Sequence, residues 1–429
     1  MTQESTDKVT PLFDRLESGV RSYSRSFPKL FNKAVGATIY DEHGTGYTDF
    51  LAGCSSLNYG HNDPDMKRAL LDYVAQDGIA QGLDMFTDAK AGFLSQFEAL
   101  ILKPRGMDYR VQFTGPTGAN AVEAAMKLAR KVTARTNIIA FTNGFHGVTL
   151  GALAATGNGK HRGGGGVPLT GVTRMPYDGY FGSEINTADL LAQQLGDPSS
   201  GVDAPAAIIV ETVQGEGGLN AASASWLRQI ETIARDNGAL FIIDDIQAGC
   251  GRTGGFFSFE GMGLSPDIVT LAKSVSGMGL PMALTLIKPE HDIWLPAEHN
   301  GTFRGNNHAF VTARAALDKF WATDDFAREV AAKAEFLAER LGRIASAHDL
   351  SLRGRGMMLG VDAGSGEAAA AVCAICFKQG LIIETSGSHD EVVKVLAPLT
   401  IKHAQFRDGL DTLVAAFNAV MGSQRMAAE

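Results

Sequence analysis

The chain has 429 residues, of which 45% are hydrophobic and 20% are charged, and its net charge at pH 7 is −9. This balance is typical of a folded globular protein of about two to three domains and differs from that of a disordered chain. The negative charge argues against a dedicated nucleic-acid binder or a basic membrane-surface protein, and the longest apolar run, Ala368–Phe377, is too short to span a bilayer.

The start of the chain and its cysteine content indicate a cellular compartment. Met1–Lys8 is polar and lacks the apolar stretch of a signal peptide. The cysteines at positions 54, 250, 373 and 376 are too few for a disulfide scaffold in so long a chain. We therefore expect a cytoplasmic protein with no nucleic-acid and no membrane partner.

Strands and helices alternate through the middle of the sequence. Before residue 60, a hairpin is predicted. Its strands are Ala37–Tyr40 and Tyr47–Leu51. The strands predicted after it are Asn137–Phe141, Ala206–Val210, Ala239–Asp244, Asp267–Leu271 and Pro281–Ile287, and the helices between them include Ala121–Arg135 and Ala224–Asn237. Nearly continuous apolar strands separated by amphipathic helices predict an α/β fold with a mostly parallel sheet covered by helices on both faces.

The pattern changes from Asp324 onward. A long amphipathic helix is followed by a strand pair within Leu350–Asp362, a further helix, strands at Leu381–Thr385 and Val392–Leu396, and a final helix. This order predicts a smaller α+β domain. We expect an N-terminal segment, 1–60, associated with the small domain, a large domain, 61–325, and a C-terminal small domain, 326–429.

A glycine-containing turn leads into the first of these helices. Thr114–Asn120 follows the apolar run Arg110–Phe113 and precedes the helix Ala121–Arg135. Free backbone N–H groups at a helix start form an anion site, most often for phosphate. The alternative is an ordinary turn with Asn120 as the N-cap.

Two ionisable residues follow predicted strands in the same way. Asp244 ends a buried strand and would need a cationic partner there, such as a protonated ring nitrogen; a helix or turn cap is its alternative role. Lys273 follows the next strand among small residues, where partial burial lowers a lysine pKa toward the nucleophilic amine; a lysine that extends into solvent is the alternative. A phosphate turn, an acid and a lysine are together the groups that pyridoxal 5'-phosphate (PLP) needs.

Other motifs indicate less. Gly249–Gly254 matches the dinucleotide pattern G-x-G-x-x-G, but no helical periodicity follows it. Cys373 and Cys376 lie in an alanine-rich helical stretch and are interpreted as packed core thiols. The histidines show no metal-ligand spacing, so we expect no metal.

The chain resembles the class III (ornithine- and GABA-type) aminotransferases over essentially its whole length, and four strings resemble the branch of this family that acts on diaminobutyrate. The strings are 16–27, 113–118, 174–181 and 299–307. The resemblance implies PLP fold-type I and a homodimer or dimer of dimers with shared active sites. It implies that Lys273 binds the cofactor covalently and moves the proton. The remaining implied cofactor contacts are Asp244 to the ring nitrogen, Gln247 to the phenolic oxygen, Gly118 and Ala119 to the phosphate, Phe145 against the ring face, and Thr302 to a phosphate across the dimer interface.

The resemblance also bears on the substrate. Val210–Gly217 resembles the family's Glu-Pro-Val-Gln-Gly-Glu string, with Thr212 in place of proline. It implies that Glu216 is a gate that masks Arg353, the arginine expected to hold the α-carboxylate of 2-oxoglutarate or glutamate. A structural ion pair is the alternative.

The implied activity moves a terminal amino group between L-2,4-diaminobutyrate and 2-oxoglutarate, giving aspartate semialdehyde and glutamate, as in ectoine biosynthesis. The alternatives are another terminal amine (ornithine, GABA or a polyamine), a relative that racemises or mutates amino groups, a nucleotide-binding module and a cofactor-free structural relative. Val148 stands where relatives commonly carry an arginine. The residues that bind the diaminobutyrate carboxylate are therefore open, and the candidates are Arg304, Arg355 and Ser55.

Overall fold

A computed structural model describes the backbone of residues 6–428 and the side chains of residues 11–423. The helices are α1 (Thr6–Leu16), α2 (Tyr23–Ser26), α3 (Ala52–Ser55), α4 (Pro64–Ala75), α5 (Asp88–Phe97), α6 (Gly118–Thr133), α7 (Leu150–Ala155), α8 (Gly159–Gly163), α9 (Thr187–Gly196), α10 (Ala224–Asp236), α11 (Asn307–Phe320), α12 (Asp325–His348), α13 (Gly366–Lys378) and α14 (His403–Ala428). The strands are β1 (Phe31–Val35), β2 (Thr38–Asp41), β3 (Gly46–Asp49), β4 (Arg110–Phe113), β5 (Asn137–Phe141), β6 (Val172–Met175), β7 (Pro205–Val210), β8 (Val213–Gln214), β9 (Asn220–Ala221), β10 (Leu240–Asp244), β11 (Ile268–Leu271), β12 (Leu284–Ile287), β13 (Ser351–Arg355), β14 (Met358–Asp362), β15 (Leu381–Ile382), β16 (Glu384–Ser386) and β17 (Val392–Val395).

A seven-stranded sheet forms the centre of the molecule, in the order β4-β12-β11-β10-β7-β5-β6. The pairs β11–β10, β10–β7, β7–β5 and β5–β6 are parallel, whereas β12 runs antiparallel to both of its neighbours. The predicted α/β class and mostly parallel sheet are confirmed. Because parallel strands end at one edge, this sheet places the residues after β10 and β11 side by side.

Side chains alternate between the two faces of this sheet. On β5, Ile139 and Phe141 pack into the larger core cluster, whereas Ile138 and Ala140 pack into a second cluster beneath α6. Strands buried on both faces need apolar residues at every position, which explains why the sequence shows continuous apolar runs there. Helix α6 presents Val122, Ala125 and Met126 to the second cluster.

The terminal regions meet in a second sheet, of order β1-β2-β3-β15. Strand β3 pairs in parallel with β15, and Thr48 lies opposite Leu381. A third sheet, β13-β14-β17-β16, belongs to the C-terminal region. These pairings place the N-terminal segment beside the C-terminal region, and the expected division at residues 60 and 325 stays a prediction.

Two predicted strands differ from the structure. The run Pro281–Ile287 forms a strand only over β12, and this strand is antiparallel. The run Leu381–Thr385 divides between β15 and β16, which join different sheets. In the described part of the chain, no helix combines the length and apolarity needed to cross a bilayer.

Candidate active site

A cavity of about 380 Å³ lies at the carboxyl edge of the central sheet. Most of the predicted site residues line it: Gly118, Ala119, Phe145, Glu216, Asp244, Gln247 and Lys273. Thr302 and Arg353 are not among its lining residues. The cavity therefore brings together the phosphate turn, the strand-end acid and the strand-end lysine.

Helix α6 begins at the cavity wall, three residues earlier than predicted. Its N-cap is Thr117 and not Asn120: the Thr117 Oγ1 accepts the N–H of Asn120 at 3.4 Å, and the Asn120 side chain accepts the N–H of Thr117 at 3.3 Å. The first N–H groups of a helix have no carbonyl partner within it. The amides of Gly118 and Ala119 are thus at the positive end of a 16-residue helix. A Cβ on Gly118 would come within 3.0 Å of the Ile246 side chain, so the start of the helix is closely packed.

Asp244 ends β10 and is 4% exposed. Its Oδ2 lies 2.7 Å from Nδ1 of His146, and its Oδ1 accepts the Thr270 hydroxyl at 3.1 Å and the Ile246 N–H at 3.2 Å. Burial acts to lower the pKa of His146, but the hydrogen bond and the charge of Asp244 outweigh it and raise that pKa. The carboxylate is therefore fixed in place and faces the cavity.

A second buried acid, Glu211, also lines the cavity. Its Oε2 accepts the backbone N–H of Phe145 at 2.8 Å. Burial raises the pKa of Glu211 to about 8, with the charge of His146 opposing the shift and that of Asp244 adding to it. Sequence reasoning assigned no role to Glu211 or His146, although Glu211 lies in the string Val210–Gly217 and His146 directly follows Phe145.

Lys273 lies directly after β11 and opens a short 3₁₀ turn, Lys273–Ser276. Its φ is 54°, which is the left-handed region that a lysine rarely adopts. In the described part of the chain, no hydrogen bond or ion pair of its Nζ is found. A lysine amine held on a strained turn and free to face the cavity is available for covalent chemistry.

The predicted pairing of Glu216 with Arg353 is wrong. The Glu216 Oε1 lies 3.0 Å from Nζ of Lys394, whose side chain is fully buried, and it also accepts the Gln247 amide at 3.0 Å. Arg353 instead pairs with Asp362 at 2.5 Å and Glu391 at 3.7 Å. Burial acts to raise the pKa of Glu216, but Lys394 outweighs it and lowers that pKa to about 2.

The register of the third sheet explains this outcome. Arg353 on β13 lies opposite Gly360 on β14, and Gly360 lies opposite Lys394 on β17. Arg353 and Lys394 thus lie in the same row across the sheet, and it is Lys394, on β17, that contacts Glu216. Lys394 also lies 3.0 Å from Oε1 of Glu384. One ammonium group therefore joins two carboxylates.

The remaining candidates are not among the residues that line the cavity. Thr302 is exposed and opens the short turn Thr302–Gly305. Arg304 pairs with Asp84, and Arg355 donates to the Thr212 Oγ1 at 3.0 Å and the Ser258 carbonyl at 2.9 Å. Both guanidinium groups are thus committed to protein partners. Ser55 is 1% exposed.

The motifs judged uninformative show ordinary packing. Gly249–Gly254 forms consecutive turns that do not lead into a helix. Cys373 and Cys376 are free thiols on α13. Within residues 6–428, no group of three or more His, Cys, Asp or Glu side chains could hold a metal ion.

Known proteins resemble this chain along almost all of its length. The family model described as Aminotransferase class-III matches residues 21–417. An uncharacterized aminotransferase of Sinorhizobium fredii is 55% identical over 96% of this chain and 93% of its own length. A diaminobutyrate–2-oxoglutarate transaminase of Halomonas elongata is 56% identical over 94% of this chain and 97% of its own length. The solved ornithine aminotransferase of Toxoplasma gondii is 25% identical, with a TM-score of 0.85 over 98% of this chain and 96% of that structure. The fold, the geometry of the cavity and these matches agree, and the chain belongs to the class III aminotransferases.

Proposed function

We propose that this protein is a PLP-dependent aminotransferase that moves the terminal amino group of L-2,4-diaminobutyrate to 2-oxoglutarate, giving aspartate semialdehyde and glutamate in a reversible reaction. The observation that carries the proposal is the convergence of the α6 N-terminus, Asp244 and Lys273 on one cavity. The choice of substrates is supported by the transaminase of Halomonas elongata, which is named for these two compounds and is 56% identical.

The residues around the cavity fit PLP. An anion is favoured at the amides of Gly118 and Ala119, a cationic ring nitrogen is favoured at the buried Asp244 carboxylate, and the Lys273 amine has no protein partner among the described residues. When bound, PLP supplies an electron sink for the carbon that carries the transferred nitrogen. Phe145 and Gln247 line the same cavity, as expected for groups that contact the ring.

Each ionisable residue then has a role in handling charge or protons. Asp244, held by His146 and Thr270, keeps a positive charge favourable at the buried edge of the cavity. The Lys273 Nζ is the base that takes the proton from the substrate carbon bearing the amine and returns it later. Its strained turn keeps the amine at one place on the cavity wall.

Glu216 and Lys394 select between the two substrates. While Glu216 covers Lys394, whose ammonium group also contacts Glu384, no positive charge is available to the substrate at this position, and a substrate whose reacting end carries only an amine is favoured. When Glu216 turns aside, Lys394 can bind the α-carboxylate of 2-oxoglutarate. Lys394 thus takes the part that sequence reasoning gave to Arg353, and the contacts of the diaminobutyrate carboxylate stay open.

We also propose a homodimer in which Thr302 reaches the phosphate of the partner's site. One support is that Thr302 is exposed and the adjoining Phe303 is 65% exposed, so both are accessible to a second subunit. Another is that this segment lies next to the turn at the cavity wall, since a Cβ on Gly301 would lie 3.7 Å from the N atom of Gly115. Light scattering tests the pairing, and a monomer that is fully active would contradict it.

Replacement of Lys273 by Ala tests the central assignment. We expect the variant to lose multiple-turnover transamination by at least about 1,000-fold, because the covalent and proton-transfer roles are lost together. The unsubstituted enzyme is compared on diaminobutyrate, ornithine, GABA and lysine, each with 2-oxoglutarate, and the semialdehyde product is detected directly. Full activity of Lys273→Ala would refute the assignment. Preference for another amine, or turnover without a 2-oxo acid, would favour a different class III reaction.

A further inference from the structure

Two left-handed segments of the backbone meet beside the cavity. Lys273 opens one of them, and the other is α3 (Ala52–Ser55), a single left-handed turn in which Ala52, Cys54 and Ser55 have φ values of 46°, 55° and 68°. Residues other than glycine rarely adopt the left-handed backbone conformation, and it persists only where the surrounding structure enforces it. The contacts between these two segments therefore decide whether Lys273 keeps its place.

The hydroxyl group of Ser274 joins the two segments. It donates to the Ser55 carbonyl at 2.7 Å and accepts the backbone N–H of Asn58 at 2.9 Å. Ser274 is 2% exposed, so water does not compete for these bonds. It is also the residue that directly follows Lys273 in the chain.

Asn58 and Arg252 hold the second segment from behind. The Asn58 Nδ2 donates to the Cys250 carbonyl at 3.1 Å, and its Oδ1 accepts from Nη2 of Arg252 at 2.5 Å. Arg252 is fully buried, and its Nη1 donates to the Met357 carbonyl at 3.2 Å and the Ala397 carbonyl at 2.7 Å. The turn Gly249–Gly254, which resembled a dinucleotide motif, thus supplies the arginine that ties residue 58 to the C-terminal region.

We propose that Ser274 is a positioning residue for Lys273, and that Asn58 and Arg252 act through it to fix the lysine turn relative to the C-terminal region. This inference rests on the proposed role of Lys273. It predicts that loss of one hydroxyl, on a residue that does not line the cavity, alters the geometry at the reacting amine.

The test compares two variants that each remove one buried bridging hydroxyl from the PLP-loaded enzyme. Ser274→Ala breaks the contacts described above. Thr187→Val is the matched control, because the Thr187 Oγ1 also donates to one carbonyl, of Tyr177 at 3.1 Å, and accepts one N–H, of Trp226 at 2.8 Å, at the start of α9. Both variants should lose some thermal stability, so stability alone does not separate them.

Two readouts report the position of Lys273. For Ser274→Ala we expect kcat to fall about tenfold with KM changed less than about twofold, since a misplacement of about 1 Å at the reacting atoms can cost up to ~100-fold in rate. We also expect the visible circular dichroism per bound cofactor to fall by roughly half, because that signal depends on how the ring is held. Thr187→Val should keep both values.

Wild-type kcat and dichroism in Ser274→Ala, or equal changes in both variants, would overturn the inference. If Ser274→Ala does not yield folded holoenzyme, Asn58→Ala replaces it, because it releases the second segment from Arg252 and predicts the same loss of dichroism. Borohydride reduction of the unsubstituted enzyme, followed by peptide mass spectrometry, locates the cofactor independently. An adduct on a lysine other than Lys273 would overturn the proposed function itself.

Discussion

Replacing Lys394 by methionine removes an ammonium group that lies 3.0 Å from both Glu216 and Glu384. Breaking a buried ion pair by removing one partner costs about 3–5 kcal/mol, because the other charge is left uncompensated. Unfolding entropy of about 2.1 cal/mol/K per residue gives roughly 0.9 kcal/mol/K for the 429 residues. We therefore expect the Tm of Lys394→Met to fall by about 3–6 °C.

The same substitution should impair one half of the reaction. A hydrogen bond to a charged group contributes about 1.5–3 kcal/mol, so loss of the Lys394 contact should lower kcat/KM for 2-oxoglutarate about 10- to 150-fold. The half-reaction with diaminobutyrate should change much less, because Glu216 covers Lys394 at that stage. The two half-reactions are followed separately by the absorbance of the bound cofactor.

Arg353→Met is the matched control, since Arg353 also contacts two carboxylates, those of Asp362 and Glu391, but not that of Glu216. It should change kcat/KM for 2-oxoglutarate less than about threefold. A 2-oxoglutarate defect in Arg353→Met, together with normal kinetics in Lys394→Met, would show that the assignment of the carboxylate-binding cation is wrong.

Two further predictions concern Asp245, which directly follows Asp244, and Gly118 at the start of α6. Burial raises the pKa of Asp245 to about 7 even though Ser258 donates to it, so the native state retains a proton that the unfolded chain loses near pH 4. The contribution of Asp245 to wild-type stability should therefore decrease as the pH rises from about 4 to 7. In thermal unfolding, the Tm of Asp245→Asn should rise relative to that of the wild type over the same range. A Tm difference that does not vary with pH would contradict this. Gly118→Val should raise the Kd for PLP at least about tenfold in fluorescence titrations, because its side chain would collide with Ile246 at the helix start. Gly159→Val is its control, since Gly159 also opens a helix and a Cβ there meets nothing within 4 Å; equal Kd values for the two variants would rule out the packing argument.

The central sheet and the ends of its strands were predictable from the sequence. Buried parallel strands leave continuous apolar runs, so β5, β7 and β10 were located within about a residue. An acid and a lysine directly after such runs must lie at the same edge, which is why Asp244 and Lys273 were placed together correctly.

The rest of the site depends on contacts between distant segments. The residues around Lys394 in the sequence do not indicate that Glu216 lies beside it in the fold. Arg353 lies in the string Leu-Arg-Gly-Arg-Gly, whose two arginines made it the more evident candidate for a carboxylate-binding residue. His146 and Glu211 are joined to the site by pairing and burial that no spacing along the chain reveals. The usable signal was a lysine inside the apolar run Val392–Val395, because a lysine on a buried strand needs a partner of opposite charge.

The pairing of β3 with β15 has a consequence for how the chain folds during synthesis. The pairing of Thr48 with Leu381 cannot form until Leu381 has been synthesised, roughly 330 residues later, which takes about 15–70 s at ordinary elongation rates. Throughout that interval the N-terminal hairpin exposes an unpaired edge, the kind of edge on which neighbouring nascent chains associate. Completion of this sheet is therefore among the last events of biosynthesis, and a molecular chaperone that shields the first fifty residues would raise the yield of native enzyme.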